Sequence, residues 1–167
     1  LHSGNVLILN YEGFSWISDL GLCGPVNQSN EIYGIIPYTA PEVLQGKPYS
    51  KASDIYSFAM LMWEMTSGVM PFYDISHNAQ LIFRVCSGER PKIIENTPLN
   101  YENLMKLCWN PDPSQRLSAA EIFIIIDDWI ENFEKNPHEI KSNYVKDAIT
   151  KFKEHDKLKM STSNDEA

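Results

Sequence analysis

Apolar and polar positions form two regimes along this chain: short runs broken by turns at the start, then longer helical periodicities. Val6-Leu7-Ile8-Leu9 and Phe14-Ser15-Trp16-Ile17 are apolar or alternating runs on either side of Asn10-Tyr11-Glu12-Gly13. Two such runs around a turn-forming break predict a β-hairpin. A hairpin alone is marginally stable, so it must lean on the rest of the chain, which is mostly helical in pattern. Ser53 and Asp54 offer a cap for a helix that runs through Ile55, Tyr56, Phe58, Met60, Leu61, Met62, Trp63 and Met65 to Gly68, with Pro71 as a stop beyond it. This stretch is apolar around nearly its whole circumference, the pattern of a buried helix.

A second helix fits residues 76–87, with Ala79, Ile82 and Cys86 on one stripe and Gly88 at its end. A third fits residues 101–109, where Tyr101, Leu104, Met105 and Cys108 fall at i, i+3, i+4 and i+7. The last strong helix opens on an S-x-x-E capping box, Ser118 with Glu121, and carries an apolar face through Ile122, Ile125, Ile126, Trp129 and Phe133. After Pro137 the chain becomes charged, and Ile140, Tyr144, Val145, Ile149 and Phe152 predict one more amphipathic helix. The expected organisation is a body over residues 1–133, a helical extension over 134–156 and a polar, disordered tail over 157–167. No internal repeat is present.

Composition narrows the class. The 167 residues are 43% hydrophobic and 11% aromatic, enough for one domain with a real core. With 14 basic and 22 acidic residues the net charge is −8, and the acidic excess sits before Glu131, so nucleic acid is not an expected partner. Cys23, Cys86 and Cys108 are odd in number and lack the paired spacing of a zinc site or a disulfide framework, which makes an intracellular, cytoplasmic location the default. No run approaches the roughly 18 apolar residues of a membrane span, so no membrane partner is expected. Leu1 is not an initiator methionine, and the expectation is that the natural N-terminus lies upstream.

The candidate chemistry lies in the order of short motifs: Asn5, Ser18-Asp19-Leu20-Gly21, Ala40-Pro41-Glu42, Asp54-Ile55-Tyr56-Ser57, then Cys108-Trp109 with Arg116. That order resembles the C-terminal lobe of a protein kinase, entered part-way through its catalytic loop H-R-D-x-x-x-x-N, of which Leu1-His2-Ser3-Gly4-Asn5 would follow the aspartate. The resemblance covers residues 1 to about 133. It implies a mainly α fold, a kinase-like C-lobe with a small β-hairpin at its catalytic edge. It also implies transfer of the ATP γ-phosphate to protein hydroxyls, with ATP and Mg²⁺ as cofactors, and a protein substrate and the kinase N-lobe as partners.

Asn5 and Asp19 are the candidate catalytic, cofactor-binding and metal residues. A kinase holds Mg²⁺ against the phosphates with hard oxygens. The outer ends of a hairpin lie side by side, so an amide oxygen and a carboxylate 14 residues apart can share one ion. Read alone, Gly4-Asn5 and Asp19-Leu20-Gly21 are ordinary turn residues at strand ends. Leu20 replaces the more usual phenylalanine of the D-F-G motif.

Three further residues carry structural expectations. In the family the glutamate of Ala40-Pro41-Glu42 pairs with an arginine near the domain's end, which here is Arg116; read alone, Glu42 is a helix-start carboxylate and Arg116 a loop cation. Asp54 is either an N-cap only or also the residue that anchors the catalytic loop's backbone. Pro41 can start a short helix at its first position. The segment between Asp19 and Ala40 suits an activation loop, with Ser29 and Tyr33 as hydroxyls whose phosphorylation the sequence leaves open.

Substrate class is argued from departures. His2 and Ser3-Gly4 match neither the lysine usual in serine/threonine kinases nor the Ala-Ala-Arg run of tyrosine kinases, and Gly34-Ile35 lacks the usual threonine hydroxyl. Residues 63–68 with Pro71-Phe72 look most like the tyrosine-kinase-like group, whose members mostly phosphorylate serine and threonine. His2, His77, Asp127-Asp128 and the stripe Met60, Met62, Met65 are assigned no chemistry: solvated or hydrogen-bonded histidines, diverging carboxylates and core filler explain them. No Gly-rich phosphate loop, strand lysine, partner glutamate or catalytic aspartate lies within these residues, so the fragment alone is expected to be inactive. The alternative is a non-catalytic kinase-like lobe that binds or regulates; a scaffold has no need of Asn5 and Asp19 as metal ligands.

Overall fold

A computed structural model describes residues 1–8, 15–18 and 35–135. The hairpin is β1 (Val6–Ile8) antiparallel to β2 (Ser15–Ile17), in the register Val6 to Ile17, Leu7 to Trp16 and Ile8 to Ser15. Among the described residues five α-helices come after it: α1 (Pro41–Leu44), α2 (Lys51–Ser67), α3 (Ala79–Cys86), α4 (Leu99–Cys108) and α5 (Ala119–Lys135). The described residues are thus mainly helical with one small sheet, as the pattern and the resemblance imply.

Helix α2 is the axis of the core. Ile55, Tyr56, Ala59, Met60, Leu61, Met62 and Trp63 are all buried, and α4 packs on it with Leu104, Met105 and Cys108 fully enclosed. Burial pushes the Cys108 thiol up to about 12, so it behaves as a small apolar group at neutral pH. Two polar atoms stitch neighbours to α2: the Tyr101 hydroxyl donates to the Met62 carbonyl at 2.8 Å, and the Trp63 indole N–H to the Lys92 carbonyl at 2.8 Å. Short α1 begins at Pro41, whose missing N–H is harmless there, and packs on α3.

Three local expectations change. The cap of α2 is Ser50, not Ser53-Asp54. Ser53 is the third helical residue and completes the box, the Ser53 N–H donating to Ser50 Oγ at 3.2 Å and the Ser50 N–H to Ser53 Oγ at 3.0 Å. Lys51 and Ala52 join the helix, which leaves Asp54 exposed in its first turn. Met65 is 66% exposed although Met60 and Met62 are core, because it lies on the face of α2 that carries exposed Lys51 and Asp54. Helix α3 starts at Ala79 under an Asn78 cap, which accepts from the Gln80 N–H at 2.9 Å, and its buried stripe is Leu81 and Val85. The capping box at Ser118 and Glu121 forms in both directions, at 2.7 and 3.2 Å, and fixes the start of α5. The expected extension over 134–156, past the end of α5 at Lys135, and the tail over 157–167 lie outside the described residues.

Gly68 ends α2 in the left-handed region at φ 72, and a Cβ built there meets nothing within 4 Å. Gly68→Ala therefore isolates the backbone cost. We expect a loss of about 1 kcal/mol in the free energy of unfolding by urea titration; an unchanged midpoint would show that the cap relaxes to another conformation.

Candidate active edge and its supports

The hairpin's open end is built by a single 3₁₀ turn, Ser3–Asn5, that delivers the chain into β1. Asn5 is 9% exposed, and its carbonyl accepts both the Ser18 N–H at 2.7 Å and the Ser18 hydroxyl at 3.2 Å. Ser18 directly follows β2, so the structure sets Asn5 beside the residue that immediately precedes Asp19. Asp19 itself, with Ser29 and Tyr33, lies outside the described residues. Among the described residues no group of three or more His, Cys, Asp or Glu could hold a metal ion. Asn5 carries an amide oxygen, a hard oxygen of the kind Mg²⁺ takes.

Glu42 and Arg116 meet in the interior, two parallel N–H···O bonds of 2.7 Å joining Arg116 Nη1 and Nη2 to the two carboxylate oxygens. The side chains are 0% and 8% exposed for arginine and glutamate respectively. Arg116 Nη1 also donates to the Ala52 carbonyl at 2.9 Å and its Nε to the Asn110 carbonyl at 2.8 Å. Four bonds on one guanidinium tie α1, the start of α2 and the loop after α4 together; planar, bidentate geometry of this kind is what arginine supplies and lysine does not.

Asp54 is exposed, and among the described residues no hydrogen bond joins its side chain to residues 1–5. His77 is hydrogen-bonded, a ring nitrogen lying 3.2 Å from the Phe72 carbonyl. That contact supports Phe72, which is buried with a left-handed φ of 57, a strained conformation for a bulky residue.

Two arrangements escape a reading of the sequence. Arg90 and Arg116 both lie over the ring of buried Tyr56, 5.0 and 5.2 Å from its centroid. Burial pushes the Tyr56 phenol well above its ordinary range and holds Arg90 below its own. The second is a polar hub at Tyr38, in the 3₁₀ turn Ile36–Tyr38. Its hydroxyl donates to a Glu64 carboxylate oxygen at 2.7 Å, and burial first, then this bond, pushes the phenol up to about 12. The one sequence signal for either was position: Tyr38 stands just before Ala40-Pro41-Glu42, and Tyr56 inside Asp54-Ile55-Tyr56-Ser57.

A helical lobe with a hairpin at one edge, Asn5 at the hairpin's open end and a buried Glu42–Arg116 pair defines the class: a kinase-type C-terminal lobe. The chain belongs to the protein kinase family, since the family model for protein tyrosine and serine/threonine kinases matches residues 1–126. Among its relatives, "Mitogen-activated protein kinase kinase kinase 7" of Homo sapiens is 39% identical over 94 residues, covering 56% of this chain and 16% of the relative. A serine/threonine-protein kinase of Dictyostelium discoideum, "Probable serine/threonine-protein kinase gdt4", is 31% identical over 152 residues, covering 86% of this chain and 9% of the relative. A second kinase of that organism is 35% identical over 111 residues, 66% of this chain and 7% of the relative. The chain therefore spans only 7% to 16% of the length of these curated relatives. Among the described residues no helix is long and apolar enough to cross a membrane.

Proposed function

We propose that this chain is the C-terminal half of an ATP-dependent protein kinase domain that phosphorylates serine and threonine hydroxyls of intracellular, cytoplasmic protein substrates. The observation that carries the reading is the juxtaposition at the hairpin's open end, where Asn5 is hydrogen-bonded to Ser18, the neighbour of Asp19. In this reading Asn5 and Asp19 hold Mg²⁺, which neutralises charge on the ATP phosphates when bound. The substrate hydroxyl attacks the γ-phosphorus, the new O–P bond forms as the bond to ADP breaks, and the hydroxyl proton passes to the catalytic-loop aspartate that the resemblance places before Leu1. The Glu42–Arg116 pair ties α1 to the start of α2 and the loop after α4, a structural role. The serine/threonine preference rests on the relatives' names and on the tyrosine-kinase-like pattern of residues 63–72. The glycine-rich loop and its lysine belong, in this reading, to an N-lobe that shares the nucleotide cleft with Asn5 and Asp19.

The test is a phosphotransfer assay with labelled ATP and a mixture of protein acceptors, run with Mg²⁺ and with chelator. The full-length protein is expected to label serine and threonine only with Mg²⁺, and a polypeptide of residues 1–167 alone to transfer nothing, because the base and half the cleft are not among them. Metal-dependent activity from residues 1–167 would refute the two-lobe reading; an inert full-length protein that still binds partners would favour a non-catalytic kinase-like module.

A further inference from the structure

We propose that the outer face of α5 is a docking surface for this chain's own residues 138–153, which return along it as an antiparallel helix. Helix α5 carries apolar residues on two adjacent sides. Ile122 and Ile125 are buried in the core, whereas Phe123 and Ile130 are 67% and 54% exposed, with Ile126 between them packed partly against the core. Residues 123, 126 and 130 stand at i, i+3 and i+7, so they form a single stripe along the helix. A surface helix needs one apolar stripe to face its core, and a second one aligned toward solvent marks a surface that something covers.

The sequence that follows α5 supplies the occupant. Residues 138–153 lie outside the described residues, so they enter by sequence alone. Asn136-Pro137 comes directly after α5. A proline disfavours the helical conformation of the residue before it and lacks an N–H, so the helix ends there and the chain turns. A connection of two or three residues leaves the next helix antiparallel to the last. Within residues 138–153, Ile140, Tyr144, Ala148 and Phe152 recur at every fourth position, one stripe of a helix. At 1.5 Å per residue this segment spans about 24 Å, against about 25 Å for the 17 residues of α5. Counted outward from Pro137, Ile130 and Tyr144 are equally distant, as are Ile126 and Ala148, and Phe123 and Phe152 differ by one residue. The two stripes therefore meet in register around the turn. Charge agrees as well: α5 carries five acidic residues and one lysine, and residues 138–153 carry four lysines and two acidic residues. A second copy of α5 on the same face would instead set like charge against like.

The test substitutes the segment and measures α5, in the full-length protein. Ala148→Asp sets a carboxylate in the middle of the stripe, and Thr150→Asp adds the same charge on the opposite side of the returning helix. Amide hydrogen exchange at residues 122–131 is expected to quicken about tenfold in Ala148→Asp, where docking would bury an unpaired charge, and to stay within about twofold of the parent in Thr150→Asp. Neither position belongs to the lobe, and unchanged exchange in α4 shows that the body stays folded in both variants. Unchanged exchange at residues 122–131 in Ala148→Asp overturns the proposal. Equal quickening in the two variants also overturns it, since the stripe would then not be what docks. Protection at residues 122–131 that rises with protein concentration, together with a doubled mass in light scattering, gives the face to a second copy and overturns it too.

Discussion

Arg116→Ala is expected to destabilise the folded body by about 3 to 5 kcal/mol, the usual consequence of stranding one member of a buried ion pair. The loss is broader than one bond: Glu42 keeps its charge in the interior, and the Ala52 and Asn110 carbonyls lose their donor. The control is Lys106→Ala, which removes an ion pair to Glu102 whose lysine is 52% exposed, and which should cost about 0.5 kcal/mol. Urea midpoints of the two variants measure the difference. Equal midpoints would mean that water reaches the Glu42 carboxylate in solution. Replacing both partners with apolar residues of similar volume should recover much of the loss, because no charge is then left unpaired.

The largest effect on turnover is expected from Asp19→Asn in the full-length protein, a fall on the order of a hundredfold or more with the fold intact. The substitution keeps shape and hydrogen bonding and removes the charge proposed to hold Mg²⁺. Asn5→Ala should cost less, since an amide oxygen is the weaker ligand. Turnover near the parent's in a folded Asp19→Asn protein would remove the enzyme reading and leave the binding module standing.

The elements that the sequence exposed were those set by neighbours along the chain. Ser118 and Glu121 announce α5 because a capping box is written in four consecutive residues. The hairpin is visible because two apolar runs flank a turn, and the register follows from that geometry. Ser53-Asp54 misplaced the start of α2 because Ser50 and Ser53 both have cap chemistry, and the choice fell to Lys51 and Ala52, which propensity alone does not settle. The all-apolar reading of α2 missed that Met65 shares a face with exposed Lys51 and Asp54. The pairs Tyr38 with Glu64 and Tyr56 with the two guanidiniums were invisible for a different reason. They join residues brought together only by the tertiary fold, and no periodicity marks them. The Glu42–Arg116 meeting could be anticipated only from the resemblance, for the same reason.

Arg116 also closes the chain on itself. Its bonds to Glu42 and Ala52 span 74 and 64 residues, and both loops contain the largely exposed stretch between Lys92 and Leu99. The entropy of closing a loop grows only with the logarithm of its length, about 0.6 kcal/mol for each doubling. An insertion of about eight residues near Asn96, which already sits in a left-handed conformation, would add only about 0.1 kcal/mol to that closure. The latch thus fixes the interior while leaving this outer loop free to change length, and it is there that new surface can be added without disturbing the lobe.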